Sequence, residues 1–353
     1  MGCQPGGQGD GGIRCGKVRK PLGFSGLTVR FPPREGAWHP ACGKSGMDYQ
    51  RKRAPMVQKI LAALDGTKAS ESILPYLETL LGSQDADVTL AQATSGLVPG
   101  RAEKASAYLE RTANGLRDKG AVVDVQVLTG KPAPALVDLA TRGGYSLLLM
   151  CSRGKKGLRR LILGSVAEEV LRRSPIPVLI VHPLSKAGEK PRLKRIVVPL
   201  DGSHRSGSIL PHVAKLAKAT GSKLLFMTAV DPHSKDNLPV EVMAKTLFRE
   251  QKELHRQGVQ TELAIRYGDP TLEILAFSEV QNADLLALST HGRSGVERAL
   301  YGSVAESLLR QGHLPMLVLR TAGKFVPDPL HATAIRARRH EKLAQTAKAG
   351  VAE

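Results

Sequence analysis

The sequence predicts an α/β fold with two tandem open parallel five-stranded sheets that carry helices on both faces. Three observations support this prediction: the chain repeats itself, each copy alternates short apolar runs with longer amphipathic segments, and the composition suits buried parallel strands. Hydrophobic residues make up 42% of the 353 residues, but aromatic residues only 4%. A core of Leu, Val, Ile and Ala is typical of parallel strands covered by helices on both faces.

The internal repeat consists of three blocks that occur twice in the same order. Copy one holds KILAALDGTKASESILPYL, LTGKPAPALVDLA and LLLMCSRGKKGLRRLILGSVAEEVLRRSPIPVLIV. Copy two holds RIVVPLDGSHRSGSILPHV, RYGDPTLEILAFS and LLALSTHGRSGVERALYGSVAESLLRQGHLPMLVL. The offset between the copies is 136 residues at the first block and 138 at the other two. Collinear blocks at a nearly constant offset indicate a duplication.

Short apolar runs rich in β-branched residues mark the predicted strands of each copy. Copy one has such runs at 57–64, 87–93, 121–128, 145–151 and 177–182. Copy two has them at 194–200, 222–230, 259–266, 283–289 and 315–320. Helical patterns lie between the runs, and this alternation favours a parallel sheet with right-handed crossover helices.

The predicted domain organisation follows from these copies. Copy one covers 56–182 and copy two covers 194–321, and a Pro-, Gly- and Lys-containing linker at 183–193 joins them. Residues 1–55 show no periodicity and are expected to be a disordered basic leader, and 322–353 form a basic C-terminal tail.

The positive charge of the chain is divided between the tails and the copies. Of the formal net charge of +19, residues 1–55 contribute +7, residues 322–353 contribute +3, and the remainder contributes +9. Such charge attracts nucleic acid non-specifically. The copies lack the interleaved aromatic residues of single-strand binding platforms, so nucleic acid could bind only through the basic tails, and a solvated basic surface is the favoured interpretation of the charge.

Cysteine usage and hydropathy favour a cytoplasmic protein. Cys3, Cys15 and Cys42 lie in the leader and Cys151 stands alone in copy one, which fits no disulfide framework and suits a reducing compartment. The sequence contains no run of about 18 apolar residues, the length that a transmembrane span requires, so no membrane association is expected.

The first predicted strand of each copy ends in an acidic residue, Asp65 or Asp201. In an open parallel sheet, ligands bind beyond the carboxyl ends of strands where the strand order reverses. A carboxylate there could accept hydrogen bonds from a ribose or help to hold a metal. The alternative is that the Asp caps the following helix, and one residue could serve both roles.

A glycine-containing loop follows the fourth predicted strand of each copy. In copy two, Ser289-Thr-His-Gly292 is followed by nine residues and then by Gly302-Ser303. Glycines allow the backbone to approach an anion, and a helix that begins at the serine would direct amide N–H groups at it. The alternative is structural: Ser165-Val-Ala-Glu168 and its counterpart at 303–306 fit an S-x-x-E capping box.

This arrangement resembles the universal stress protein family, whose ATP-binding members carry G-x2-G-x9-G followed by Ser or Thr. The resemblance implies five-stranded parallel sheets of order 3-2-1-4-5, frequent dimerisation, and nucleotide between strands one and four. It implies ATP as the ligand, accompanied by Mg2+. It also implies a stress-response or regulatory role with slow or no hydrolysis.

The residues that the resemblance assigns to the nucleotide site are distributed over both copies. In copy two they are Pro199, Asp201, Ala229, Val230, Ser289, His291, Gly292, Arg293, Gly302 and Ser303. In copy one they are Asp65, Ala93, Gly154, Gly164 and Ser165. Copy two departs from the family motif mildly, because Ser289 replaces the first glycine but could still donate a hydrogen bond.

Copy one departs from the family motif further. Cys151 replaces the first glycine, Ala63 replaces the proline at the end of the first strand, and Arg153 replaces the histidine of copy two. For copy one, nucleotide binding and a solvated basic loop therefore both stay open.

Several classes of enzyme are not supported by the sequence. It has no G-x-x-x-x-G-K-S/T loop, no G-x-G-x-x-G after a first strand, no C-x-x-C, and no metal-ligand spacing among its histidines. No nucleophile with an adjacent base is evident, so no catalytic residue is assigned.

The leading hypothesis is therefore a nucleotide-responsive regulator of the ATP-binding type. The alternative is a scaffold module that binds no nucleotide and acts through association. The copies are expected to form an intramolecular pseudo-dimer, or the chain a homodimer, with the final strands at 177–181 and 315–319 as the meeting edges.

Overall fold

The computed structural model describes residues 59–82, 86–95, 98–152, 163–183, 191–233, 239–291 and 302–321, and in these ranges strands alternate with helices. Copy one contains β1 (Lys59–Ala63), a 3-10 helix (Ser70–Ile73), α1 (Leu74–Leu81), β2 (Asp87–Thr94), α2 (Arg101–Arg117), β3 (Val122–Thr129), α3 (Pro132–Arg142), β4 (Leu147–Cys151), α4 (Ser165–Arg173) and β5 (Val178–Val181). Copy two contains β6 (Arg195–Pro199), α5 (His204–Gly207), α6 (Leu210–Thr220), β7 (Lys223–Val230), α7 (Val240–Arg256), β8 (Thr261–Tyr267), α8 (Pro270–Val280), β9 (Leu285–His291), α9 (Ser303–Gln311) and β10 (Met316–Thr321). The predicted α/β class is confirmed.

All ten of these strands belong to one sheet of order β3-β2-β1-β4-β5-β10-β9-β6-β7-β8. Within each copy the strands pair in parallel and follow the order 3-2-1-4-5. The two predicted five-stranded sets are continuous in one sheet, because β5 pairs with β10. The predicted meeting of the two final strands is what joins them.

The seam between β5 and β10 is antiparallel and symmetric. Leu179 is paired with Leu317, and these two residues occupy the same position in the repeat. Val178 pairs with Val318 and Ile180 with Met316, and the repeat relates these two pairs to each other, because Met316 is the counterpart of Val178 and Val318 that of Ile180. A pseudo-two-fold axis therefore passes between Leu179 and Leu317. The strands of copy two run opposite to those of copy one, and their carboxyl ends lie at opposite edges of the sheet.

Helices cover both faces of this sheet, because successive side chains of a strand point to opposite sides. Ile60 and Ala62 of β1 pack in a core with α1, α2, α6 and α7, whereas Leu61 and Ala63 pack in a second core with α3, α4, α8 and α9. Both cores contain residues of both copies. The duplication is therefore built as one packed unit with two continuous helical layers.

The predicted leader at 1–55 and the tail at 322–353 lie outside the described residues, as does most of the linker. None of the helices within the described ranges combines the length and the apolar character needed to cross a lipid bilayer.

We expect Leu317→Ala at the centre of the seam to lower the free energy of unfolding by about 2–5 kcal/mol, the usual cost of truncating a buried leucine. Leu317 is 2% exposed, and its partner Leu179 is fully buried. The matched control is Val122→Ala on the edge strand β3, where the side chain is 64% exposed, and we expect a change below about 1 kcal/mol. Urea unfolding of the full chain measures both, and equal effects would contradict the central role of the seam.

Candidate functional site

The acidic residue after β1 organises a tight turn. The Asp65 carboxylate, through Oδ1, accepts hydrogen bonds from the Thr67 amide at 2.9 Å and the Thr67 hydroxyl at 2.6 Å. The Asp65 amide donates to the Ser70 hydroxyl at 3.2 Å. Gly66 adopts φ +80°, which glycine tolerates without a Cβ penalty. The turn thereby fixes Asp65 beyond the carboxyl end of β1.

The turn after β6 in copy two has the same main-chain hydrogen bonds at Asp201 as the turn after β1 has at Asp65. The Ser203 amide donates to the Asp201 carboxylate at 2.9 Å, and Gly202 has φ +77°. Ser203 is the N-cap of α5, because its hydroxyl oxygen accepts a hydrogen bond from the Ser206 amide at 3.1 Å. The alternative that the Asp itself caps the helix is therefore wrong for copy two, where the serine two positions later fills that role.

The helix after the glycine loop begins one residue earlier than a capping box requires. Gly164 is the N-cap of α4, with extended backbone angles, and its carbonyl accepts the Glu168 amide at 2.9 Å. Ser165 is the first helical residue. In copy two, Gly302 and Ser303 have the same roles in α9. The serine is therefore not the N-cap that the capping-box alternative assigned to it, and both copies place a glycine at that position.

A cavity of about 380 Å³ opens at this end of copy one, at the carboxyl ends of β1, β2 and β4 and the N-terminal turns of α3 and α4. Of the residues that the sequence assigned to the site, Asp65, Ala93, Gly164 and Ser165 line it. The others in its wall are Ala63, Leu64, Ser70, Ala91, Pro132, Leu136, Met150, Cys151, Ser152, Val166 and Ala167. Gly154 lies outside the described residues.

The cavity combines an apolar wall with an anion-attracting end. Alanine, leucine and methionine side chains of the strands and of α3 line most of it. At the other end, the first turn of α4 presents amide groups that have no partner within the helix, together with the positive end of the helix dipole. Such a site suits a flat apolar group joined to an anion.

Sequence reasoning missed two parts of this cavity. Pro132 and Leu136 of α3 belong to the repeated GKPAPAL and GDPTLEI blocks, so the repetition itself was a signal for them. Ser152 was not assigned a role. Its carbonyl accepts the Gly164 amide at 2.8 Å, and its own amide donates to the carbonyl of Val181 at 2.8 Å. Ser152 thus connects the rim of the cavity to the end of β5.

His182 lies behind Ser152, at the seam between the copies. Its Nδ1 and the Ser152 hydroxyl share a hydrogen bond of 3.1 Å, and its Nε2 is buried without a partner among the described residues. Burial, with the nearby His313 of copy two as a second cause, lowers the pKa of His182 to about 4. The counterpart of His182 in copy two is Arg320, so the repeat gave no signal for this contact.

In copy two, the assigned residues lie at the corresponding strand and helix ends. Pro199 ends β6, Ala229 and Val230 end β7, and Ser289 and His291 lie in β9. Gly292 and Arg293 lie outside the described residues, as does the side chain of His291. The described part of copy two therefore brings the ends of β6, β7 and β9 together with the start of α9.

Ser289, which stands in place of the first glycine of the motif, connects β9 to α5 in copy two. Its hydroxyl donates to the carbonyl of Arg205 at 2.5 Å and lies 3.3 Å from that of Ser206. The side chain was expected to be able to donate a hydrogen bond, and it donates to a carbonyl of α5. The serine therefore joins β9 to the short helix that follows β6.

The described residues contain no group of three or more His, Cys, Asp or Glu side chains that could hold a metal ion. A divalent cation at this site would take most of its ligands from a bound phosphate and from water, which is the usual coordination of Mg2+.

We expect the chain to lose stability between pH 7 and pH 5 in a manner that depends on His182. The unfolded imidazole takes up a proton near pH 6.5, whereas the native one stays neutral down to about pH 4. The unfolded state therefore binds more protons in this window, and stability falls as the pH is lowered, by about 1–2 kcal/mol for this group at pH 5.

Urea unfolding at pH 7 and pH 5, on the native chain and on His182→Asn, measures this contribution. The asparagine amide can replace Nδ1 in the hydrogen bond to Ser152 without titrating. If His182→Asn retains the whole pH dependence of the native chain, another group is responsible.

Comparison with known proteins places both copies in one family. The model of the universal stress protein family matches residues 56–182 and 192–320. A universal stress protein of Methanocaldococcus jannaschii is 31% identical over 157 residues, which span 41% of this chain and 92% of that protein. A universal stress protein of Mycobacterium bovis is 24% identical over 212 residues, which span 58% of this chain and 70% of that protein.

The fold is also similar to a solved structure. The crystal structure of a universal stress protein from Archaeoglobus fulgidus matches with a TM-score of 0.60 and 23% identity, and it covers 75% of this chain and 98% of that one. This similarity concerns the fold alone. Because the family model matches most of the chain, in two consecutive segments, the chain belongs to the universal stress protein family as a tandem pair of its domains.

Proposed function

We propose that this protein is a nucleotide-binding regulator of the stress response that takes an ATP-type ligand at the carboxyl edge of the sheet in each copy. The adenine would pack on the apolar wall and pair with the backbone at the end of the second strand. The phosphates would lie at the glycine loop and the helix N-terminus. The cytoplasmic location expected from the sequence stays a prediction.

The observation that carries this proposal is the cavity of copy one. It lies beside the turn of Asp65 and the first turn of α4, and four residues that were chosen from the sequence line it. The turn and the helix start have the same hydrogen bonds in copy two. Because copy one departs further from the family motif than copy two, a formed cavity there favours a ligand site in both.

Hydrolysis by this site is expected to be slow or absent. Asp65 is the single carboxylate among the described residues that line the cavity, and its Oδ1 is already engaged by Thr67. Positioning groups for phosphates are present, but a group that activates water is not assigned. A bound nucleotide would thus act by occupying the site, with Mg2+ held chiefly by its phosphates.

Calorimetric titration of the full chain with ATP and Mg2+ tests the proposal. We expect micromolar binding at two sites per chain, one of which is lost in Gly164→Val and the other in Gly302→Val. Each variant places a branched side chain on the N-cap of the helix that would receive the phosphates. The glycine backbone angles, φ −69° in α4 and −59° in α9, are accessible to valine, so the effect is one of space.

Gly115→Ala in the middle of α2 is the matched control. A Cβ there meets no atom within 4 Å, and alanine favours the helix, so stability should rise slightly while binding is unchanged. Absence of nucleotide binding in the native, folded chain would overturn the proposal. That outcome would leave the alternative, a scaffold module that acts through association.

A further inference from the structure

An ion pair is buried between β8 and α8 of copy two. The Arg266 guanidinium donates through Nε to the Glu273 carboxylate at 2.8 Å, and the two side chains are only 10% and 17% exposed. The Glu273 carboxylate also packs against Gly268, where an added Cβ would lie 3.0 Å from Oε1. The guanidinium thus fixes the carboxylate, and the missing side chain at Gly268 leaves room for it.

This ion pair lies next to the position proposed for the base. Arg266 is the register partner of Ala229 at the end of β7, and paired residues on adjacent strands point to the same face of the sheet. The counterpart of Ala229 in copy one is Ala93, which lines the cavity. Glu273 lies on the first turns of α8, and the counterparts of its neighbours Pro270 and Ile274 also line that cavity.

Copy one shows that the fold does not require the ion pair. The corresponding residues there are Leu128 and Ala135, and Leu128 is the register partner of Ala93. Both apolar side chains are partly buried at the same junction of strand and helix. Because a buried ion pair often contributes no more stability than apolar packing, and copy one forms the junction without charges, stability alone is a weak explanation for the pair in copy two.

We propose that Arg266 and Glu273 make copy two select its nucleotide by the base, for a purine with an exocyclic amino group, whereas copy one accepts purines by shape. This inference rests on the proposed nucleotide binding. The Glu273 carboxylate would accept a hydrogen bond from the amino group. The guanidinium, besides orienting that carboxylate, would donate to a ring nitrogen or carbonyl of the same base.

A hydrogen-bonding group buried beside a ligand discriminates strongly, because an analogue without the matching donor leaves an acceptor oxygen without that partner; here this would be Oε1 of Glu273, since Oε2 is engaged by Arg266. Inosine triphosphate lacks the amino group and keeps the purine ring and the triphosphate. In a Gly164→Val background, which leaves the site of copy two, we expect the better of ATP and GTP to bind at least about tenfold more tightly than ITP. In a Gly302→Val background, which leaves the site of copy one, the three affinities should agree within about threefold.

Exchange of the two residues between the copies is the decisive test. Arg266→Leu with Glu273→Ala gives copy two the two residues that copy one has at this junction of strand and helix, and the preference over ITP should fall to within about threefold. The affinity for inorganic tripolyphosphate should stay unchanged, because the phosphate end is untouched. The reverse exchange, Leu128→Arg with Ala135→Glu, should introduce a preference into copy one. Glu273→Gln, which keeps the shape and removes the charge, covers the case in which the double variant fails to fold.

The outcomes separate the two proposals. Binding of all three nucleotides with the same preference before and after the exchange overturns the role of the ion pair and leaves nucleotide binding intact. A copy-two site that binds ATP, GTP and ITP equally in the native residues has the same consequence. Absence of any nucleotide binding in the native chain overturns the proposed function and, with it, this inference.

Discussion

The pairing of β5 with β10 is the interaction on which the rest of this molecule depends. It joins ten strands in one sheet and extends both helical layers across the seam, so that each hydrophobic core includes residues of both copies. Its two-fold symmetry about Leu179 and Leu317 keeps α3 and α8 on the same face and reverses the strand direction. The two candidate sites consequently lie on one face and at opposite edges of the sheet.

A shared core has a consequence for how the copies could diverge. Since the seam and the buried strands secure the fold, the residues at the strand ends are free to differ between the copies. Ser289 joins β9 to α5 at the position where copy one has Cys151. The ion pair of Arg266 and Glu273 occupies the positions where copy one has leucine and alanine. The turns after β1 and β6, which set the position of the acidic residue, kept the same hydrogen bonds.

The fold was predictable because its signals are local. Buried parallel strands appear in the sequence as short apolar runs, and amphipathic helices separate them. Because of the duplication, each strand and helix can be predicted from two similar sequences. The number of sheets depends on a contact between residues 138 positions apart, such as Leu179 and Leu317, which no local pattern contains. For the same reason the contact of His182 could not be predicted, because its partner Ser152 follows a different strand, β4, and the counterpart of His182 in copy two is an arginine. The capping box failed because the glycine one position earlier already occupies the N-cap.

The seam and the cavity of copy one are connected through a few main-chain groups. Val181 ends β5, its carbonyl accepts the amide of Ser152, and the carbonyl of Ser152 accepts the amide of Gly164 at the start of α4. Two successive main-chain hydrogen bonds therefore connect the start of α4, which would receive an anion, to β5, the strand that forms the seam. His182 adds a side-chain contact to the same serine and, because burial disfavours its charged form, adds no positive charge there at neutral pH. Among the described residues, the groups that would attract an anion at this end of copy one are therefore the amides of the first turn of α4, whose start is hydrogen-bonded through Ser152 to the strand that forms the seam.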